Sequence, residues 1–317
     1  MTGGELAVAC LLDAAVGDPR WLPHPVRWMG AIVDWYDRLV YRLLLSPAKQ
    51  RMAGLLLAAA LPAGSYGAGV LLIWLGNSLD SLWGSVIAVL LAWTTLAARD
   101  LIDHVLAVQR ALQSMSLAEA RTAVAHIVGR DTKEMNESDI VRATVETIAE
   151  STADGIVAPL FYLVLGGAPL ALAYKAISTL DSMVGHLDDR YRWFGWASAR
   201  VDDMANFFPA RITALLLVLS AGIVSRSWSV MQQAWQILLR DGSHHPSPNS
   251  GHPESAMAGA LGVQLGGMNH YDGLPVERPC LGDPVQPLTR AHIGRALALM
   301  IWTSLIGMLL GIGWLLW

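Results

Sequence analysis

Long apolar runs alternate along this chain with polar stretches that carry nearly all of its charge. Residues 53 to 75, 82 to 98 and 296 to 317 contain no Asp, Glu, Lys, Arg or His, and each is near the roughly 20 residues that cross a bilayer as a helix. Only GNSLDS separates the first two, which predicts a transmembrane hairpin. Three other apolar segments are irregular. Residues 5 to 16 are short for a span, residues 212 to 224 are shorter than a comfortable one, and residues 156 to 174 are split by Gly166-Gly167-Ala168-Pro169. The split run admits either a re-entrant hairpin or a span. Between these lie an amphipathic basic helix over 31 to 51, and a helical stretch over 99 to 155 with Leu101, Val105, Val108 and Leu112 in one stripe. Residues 269 to 294 read as a Pro- and Gly-rich loop. The pattern predicts a single all-α domain: a polytopic helical membrane protein with cytoplasmic helical loops and re-entrant segments. Its polar site loops are 17–30, 130–155, 175–211 and 240–262.

Composition agrees: 54% of the 317 residues are hydrophobic and 15% charged, with a mean hydropathy of +0.41. Of thirteen Trp, many end apolar runs, as at Trp74, Trp83, Trp93, Trp302, Trp314 and Trp317, where indole favours the interface with membrane lipid. A net charge of −4 gives no sign of a nucleic-acid partner. Two cysteines, Cys10 and Cys280, exclude a disulfide framework. Residues 17 to 52 hold six Lys or Arg and residues 76 to 81 none, which puts the first stretch on the cytoplasmic side of the membrane.

Candidate chemistry concentrates in the polar loops. Asn136 is a good N-cap and Asp139 suits the first turn, so a helix begins here. On it Glu146, Glu150 and Asp154 repeat every four residues. Stacked carboxylates repel, and beside apolar sequence they predict a bound cation. Mg²⁺, which takes a few carboxylate oxygens plus water and phosphate, is the expected one. Gly17 to Gly30 packs Asp18, Arg20 and His24 among prolines and tryptophans, a candidate substrate loop. Lys175 to Arg211 is the densest site-like stretch. It holds Lys175, Asp181, Arg200, Asp202, Asp203, Asn206 and Arg211, with Arg200, Asp203 and Asn206 on one helical face. Asn249, Ser250, Gly251 and Glu254 lead from a Ser- and Pro-rich loop into a helix, an arrangement that predicts an anion site. It lacks the Gly-Lys-Ser/Thr of a P-loop. His244, His245 and His252 match no zinc spacing. Metal-assisted phosphate chemistry fits this inventory. So, at the level of class, do an intramembrane prenyl- or phospho-alcohol transferase and an ion-coupled transporter.

The segments GDPRWLPHPVRWMG, ETIAESTADGIVAP, TLDSMVGH, FGWASARVDDMANFFPAR and PSPNSGHPESAMAGALGV, in this order over nearly the whole chain, resemble the adenosylcobinamide-phosphate synthase family (CobD/CbiB) of cobalamin biosynthesis. The resemblance implies an integral inner-membrane enzyme. It would join (R)-1-amino-2-propanol, or its O-phosphate, to a propionate of adenosylcobyric acid as an amide, in company with other membrane enzymes of the pathway. Making an amide from a carboxylate requires activation, which implies ATP as co-substrate. On that expectation Glu146, Glu150 and Asp154 hold Mg²⁺, and Asn249 to Glu254 hold phosphate. Arg200 and Arg211 face phosphates or corrin carboxamides, and Asp202 or Asp203 takes metal or the amine.

Overall fold

In the computed structural model the chain is described throughout except at Arg20, Leu22, Leu44, Leu45, Leu187 and Asp272, so the candidate Arg20 lies outside the described residues. The helices are α1 (Gly3–Val16), α2 (Pro25–Arg42), α3 (Pro47–Leu79), α4 (Ser81–Trp93), α5 (Ala98–Gln113), α6 (Leu117–Ala125) and α7 (Glu137–Thr152). A π turn, Ala153–Val157, joins α7 to α8 (Ala158–Val184), and α9 (Trp196–Ala205), α10 (Phe207–Ser225), α11 (Trp228–Asp241) and α12 (Gly251–Leu261) follow. Two strands, β1 (Leu265–Tyr271) and β2 (Leu274–Leu281), precede α13 (Ala291–Leu315). Among the described residues five helical runs are long and apolar enough to cross a membrane: Pro47–Leu79, Ser81–Gln113, Glu137–Val184, Phe207–Ser225 and Ala291–Leu315. The chain is a predominantly helical polytopic membrane protein.

Several boundaries differ from those expected. The helix over the short 212–224 run starts earlier, at Phe207, and reaches 19 residues, long enough to span. Residues 156–174 are broken where the sequence says, at Gly166 and Gly167, the latter at φ 67, a conformation that favours glycine. After Pro169 the helix resumes and runs to Val184, so the first part of the stretch 175–211 is helix rather than loop. The stretch 17–30 turns helical at Pro25, which occupies the first helical position. Within the expected loop 269–294 stands a β-hairpin instead, pairing Met268 with Glu277, Asn269 with Val276 and Tyr271 with Leu274. Its sequence signal is the Asp272-Gly273 pair.

Contacts divide the chain into two compact units, each assembled from discontinuous pieces. The first comprises residues 1–97, 158–206 and 308–317. Its core packs Met29 and Val33 of α2, Leu57 and Leu61 of α3, and Leu172 and Leu180 of α8 around Phe194. The Phe194 ring stacks on Tyr36 at 6.1 Å and meets Tyr41 edge-on at 6.3 Å. Two glycines permit the close approaches. A Cβ at Gly54 would lie 1.9 Å from the Phe194 carbonyl oxygen, and one at Gly195 would lie 1.6 Å from that of Val184. The second contact lets the chain double back from α8 into α9.

The second unit comprises residues 98–157 and 207–307. Asn136 and Asp139 close a reciprocal capping box, with bonds of 3.0 and 3.2 Å, and this starts α7 as expected. Its neighbours cover α7 on nearly every side: Ile140, Val141, Ala143, Thr144, Val145, Ile148 and Ala149 are all fully buried. The hairpin is fastened to α7 and to the segment that leads into it. Arg142 donates to the carbonyls of Gly266 and Met268, the latter at 2.9 Å, and Gly273 N donates to Asp131 Oδ2 at 2.7 Å.

Candidate functional site

In the second unit a cavity of about 160 Å³ opens between α7, the loop before α12 and the hairpin. Arg130, Glu146, Glu150, His245, Glu254 and Arg278 line it. Glu146 and Arg130 form a buried ion pair, and Arg130 also donates to Asn269 Oδ1. The second Glu146 oxygen accepts from Gly266 N at 2.8 Å, so both carboxylate oxygens have donors. Arg142 lies four residues before Glu146 on α7, the spacing of a helical ion pair. That side chain reaches Asp139 and the β1 carbonyls instead.

Glu150 lies one turn beyond Glu146, and its carboxyl is in hydrogen-bonding contact with those of Glu254 and the hydroxyl of Ser250. Glu254 is 4% exposed. Burial, and then the charges of Glu150 and Glu146, hold its carboxyl well above the usual carboxylate range. Two carboxyls in such contact must share a proton or a cation. His245 Nε2 stands 4.0 Å from Glu254 Oε1. Its Nδ1 accepts from Ser247 N at 3.0 Å, which leaves the ring proton on Nε2, facing Glu254. Burial, and then Arg278, lower the imidazole pKa, so the ring is neutral at pH 7. Arg278 has no carboxylate partner among the described residues. It presents a guanidinium to a cavity otherwise rich in carboxylates.

The expected three-carboxylate metal set does not assemble. Among the described residues no group of three or more His, Cys, Asp or Glu is arranged to hold a metal ion. Asp154 falls in the π turn, where the helix is wound more slowly than one residue per 100°, and it does not line the cavity. The carboxyl that meets Glu150 is that of Glu254, from α12. The anion cradle at Asn249 to Glu254 is also altered. His252 N and Glu254 N donate to the carbonyls of Asn249 and Ser250, both at 3.2 Å, while Asn249 N and Ser250 N turn to Ser247 Oγ. The tight turn before α12 thus uses four of the amides that an anion would need. Gly251 serves packing: a Cβ there would lie 2.6 Å from Gly242 O and 2.7 Å from His245 Cβ. Arg211 caps the Phe207 carbonyl at 2.7 Å, lies over the Phe207 ring, and reaches Asn249 Oδ1 at 3.5 Å.

The remaining candidates fall in the first unit. Asp181 on α8 and Asp202 and Asp203 on α9 form a second carboxylate group, with Arg200 3.5 Å from Asp203. Burial, and then Asp181, push the Asp202 carboxyl up to about 7. Asn206 Nδ2 donates to Asp202 at 3.0 Å, and Tyr174 OH donates to Asn206 Oδ1 at 2.9 Å. Lys175 is partly buried on α8. His24 Nε2 and Asp18 Oδ1 lie 3.0 Å apart. Sequence reasoning passed over Arg130, Asn269, Arg278 and Tyr174. The first of these precedes the acidic helix by too many residues for helical spacing to link them, and the next two belong to the missed hairpin.

The family model described as CobD/Cbib protein matches residues 6–300. "Cobalamin biosynthesis protein CobD" of Geobacter metallireducens is 50% identical over 90% of this chain and 88% of its own length. The protein of the same name from Klebsiella pneumoniae is 43% identical over 98% and 96%. "Cobalamin biosynthesis protein CbiB" of Salmonella typhimurium is 42% identical over 92% and 91%. No solved structure matches the chain. With a family model covering most of its length and relatives this close over nine-tenths of theirs, the chain belongs to the CobD/CbiB family.

Proposed function

We propose that this chain is an adenosylcobinamide-phosphate synthase of cobalamin biosynthesis, an ATP-dependent acid–amine ligase. It joins aminopropanol, or its O-phosphate, to a propionate of adenosylcobyric acid. The observation that carries the chemistry is one cavity in which the paired carboxyls of Glu150 and Glu254 face the guanidinium of Arg278 and the Nε2–H of His245.

Phosphoryl transfer to the propionate would form an acyl phosphate and release ADP. Attack by the neutral amine would then form the C–N bond and expel phosphate, the ammonium proton passing to solvent or a carboxylate. Arg278 supplies a positive, forked donor for a phosphate oxygen. His245, neutral and with Nε2 protonated, donates without adding charge. The Arg130–Glu146 pair withholds one carboxylate from the cavity, so the free acidic chemistry belongs to Glu150 and Glu254. Two carboxyls in contact with a hydroxyl are hard oxygen donors suited to Mg²⁺, which would neutralise phosphate charge when bound. The Lys and Arg excess over 17–52 supports an inner-membrane protein with its polar loops in the cytoplasm.

The test is purified full-length protein with adenosylcobyric acid, ATP and either form of the amine, read by mass spectrometry. Expected are the amide and ADP, each formed only when corrinoid and amine are both present. Amide formed without nucleotide would remove the ligase mechanism.

A further inference from the structure

Helices α8 and α9 face one another along two polar stripes. On α8, Tyr174, Ser178 and Asp181 fall at i, i+4 and i+7; on α9, Ser198, Asp202 and Asn206 fall at i, i+4 and i+8. The Tyr174–Asn206 bond of 2.9 Å ties one end of this seam. The Gly195 backbone, in tight approach to Val184 O, ties the other, so the two stripes run antiparallel. Asp181 and Asp202 meet between the ties, within electrostatic reach of each other. Asp202 already accepts from Asn206 at 3.0 Å, and no cation is among the groups that act on it. Ser198, one turn from Asp202 on the same face, is 1% exposed, and its Oγ has no hydrogen-bond partner. A buried hydroxyl left unpaired costs about 1–3 kcal/mol, and helical spacing puts this one on the face that Asn206, bonded to Tyr174, turns to α8.

We infer that this seam is a binding site for a small primary ammonium ion, held between the carboxylates of Asp181 and Asp202 with the Ser198 hydroxyl as a third partner. The three hydrogens of an ammonium match three oxygen acceptors. The site lies in the first unit and does not depend on the cavity of the second. From the synthase reading it takes only the choice of probe.

The test is ligand-observed NMR on the full-length protein in detergent, with 1-amino-2-propanol, uncharged 1,2-propanediol and Mg²⁺ as probes. Expected is binding of the amine but not the diol, about tenfold weaker in Asp202→Asn, as for one lost charge-assisted contact, and measurably weaker in Ser198→Ala. The serine variant removes the unpaired group and carries the test if Asp202→Asn does not fold. Equal affinity in Ser198→Ala, equal binding of the diol, or displacement of the amine by Mg²⁺ at equimolar concentration would overturn the site. Amine binding without amide synthesis would leave it standing and remove the synthase reading.

Discussion

Arg130 and Glu146, sixteen residues apart, form a buried ion pair that is completed from the hairpin, because Arg130 also holds Asn269 and Glu146 also holds the Gly266 amide. The pair therefore fastens a β-element to a helix while forming one wall of the cavity. Arg130→Met should cost about 3–5 kcal/mol by stranding a buried carboxylate. Adding Glu146→Gln should recover most of it. Thermal melts of the single and double variants measure the coupling.

Glu150→Gln and Glu254→Gln are expected to abolish ligase activity with the fold retained. In the unsubstituted protein Mg²⁺ should raise the melting temperature, since a ligand of the native state stabilises it by mass action. Neither variant should respond. A full Mg²⁺ response in both would place the cation elsewhere.

Arg278→Ala should lower kcat/KM for ATP by about 10²-fold if its guanidinium holds a phosphate in the transition state, with Lys restoring only part because it cannot fork. Steady-state kinetics under varied ATP separates this from a folding defect, which would lower active enzyme without changing KM.

Asp202 supplies a pH prediction. Its carboxyl, ordinarily at 3.8, is raised to about 7 by burial and then by Asp181, in a seam that also contains Asp203, Arg200 and His186. A raised value means the native state binds the proton more tightly than the unfolded chain. Its stabilising contribution is thus complete below about pH 4 and is lost as pH rises through 7. Asp202→Asn should therefore be more stable than the parent by about 1–3 kcal/mol at pH 8 and show little advantage at pH 4. Denaturation at the two pH values tests the sign.

Local physical chemistry made much of this protein legible from its sequence. Uncharged runs near 53–75, 82–98 and 296–317 can satisfy their backbone in lipid only as helices, and helices are found there. Asn136 and Asp139 encode the start of α7 because a capping box needs only residues three apart. Gly166-Gly167 marks a break because a positive φ strongly favours glycine.

What the tertiary structure decided is which polar groups meet. Four-residue spacing placed Glu146, Glu150 and Asp154 in line, but a π turn removes the third, Arg130 claims the first, and Glu254 arrives from another helix. The hairpin that brings Arg278 and Asn269 to the cavity was hidden because its prolines, glycines and scattered charges resemble a loop until α7 is there to hold them. Asp181 and Asp202, 21 residues apart by number, become neighbours only because Gly195 lets the chain double back against Val184. Helical and turn preferences act over a few residues and can be read one segment at a time. The pairing of a buried charge depends on every element that packs around it, and no segment carries that information alone.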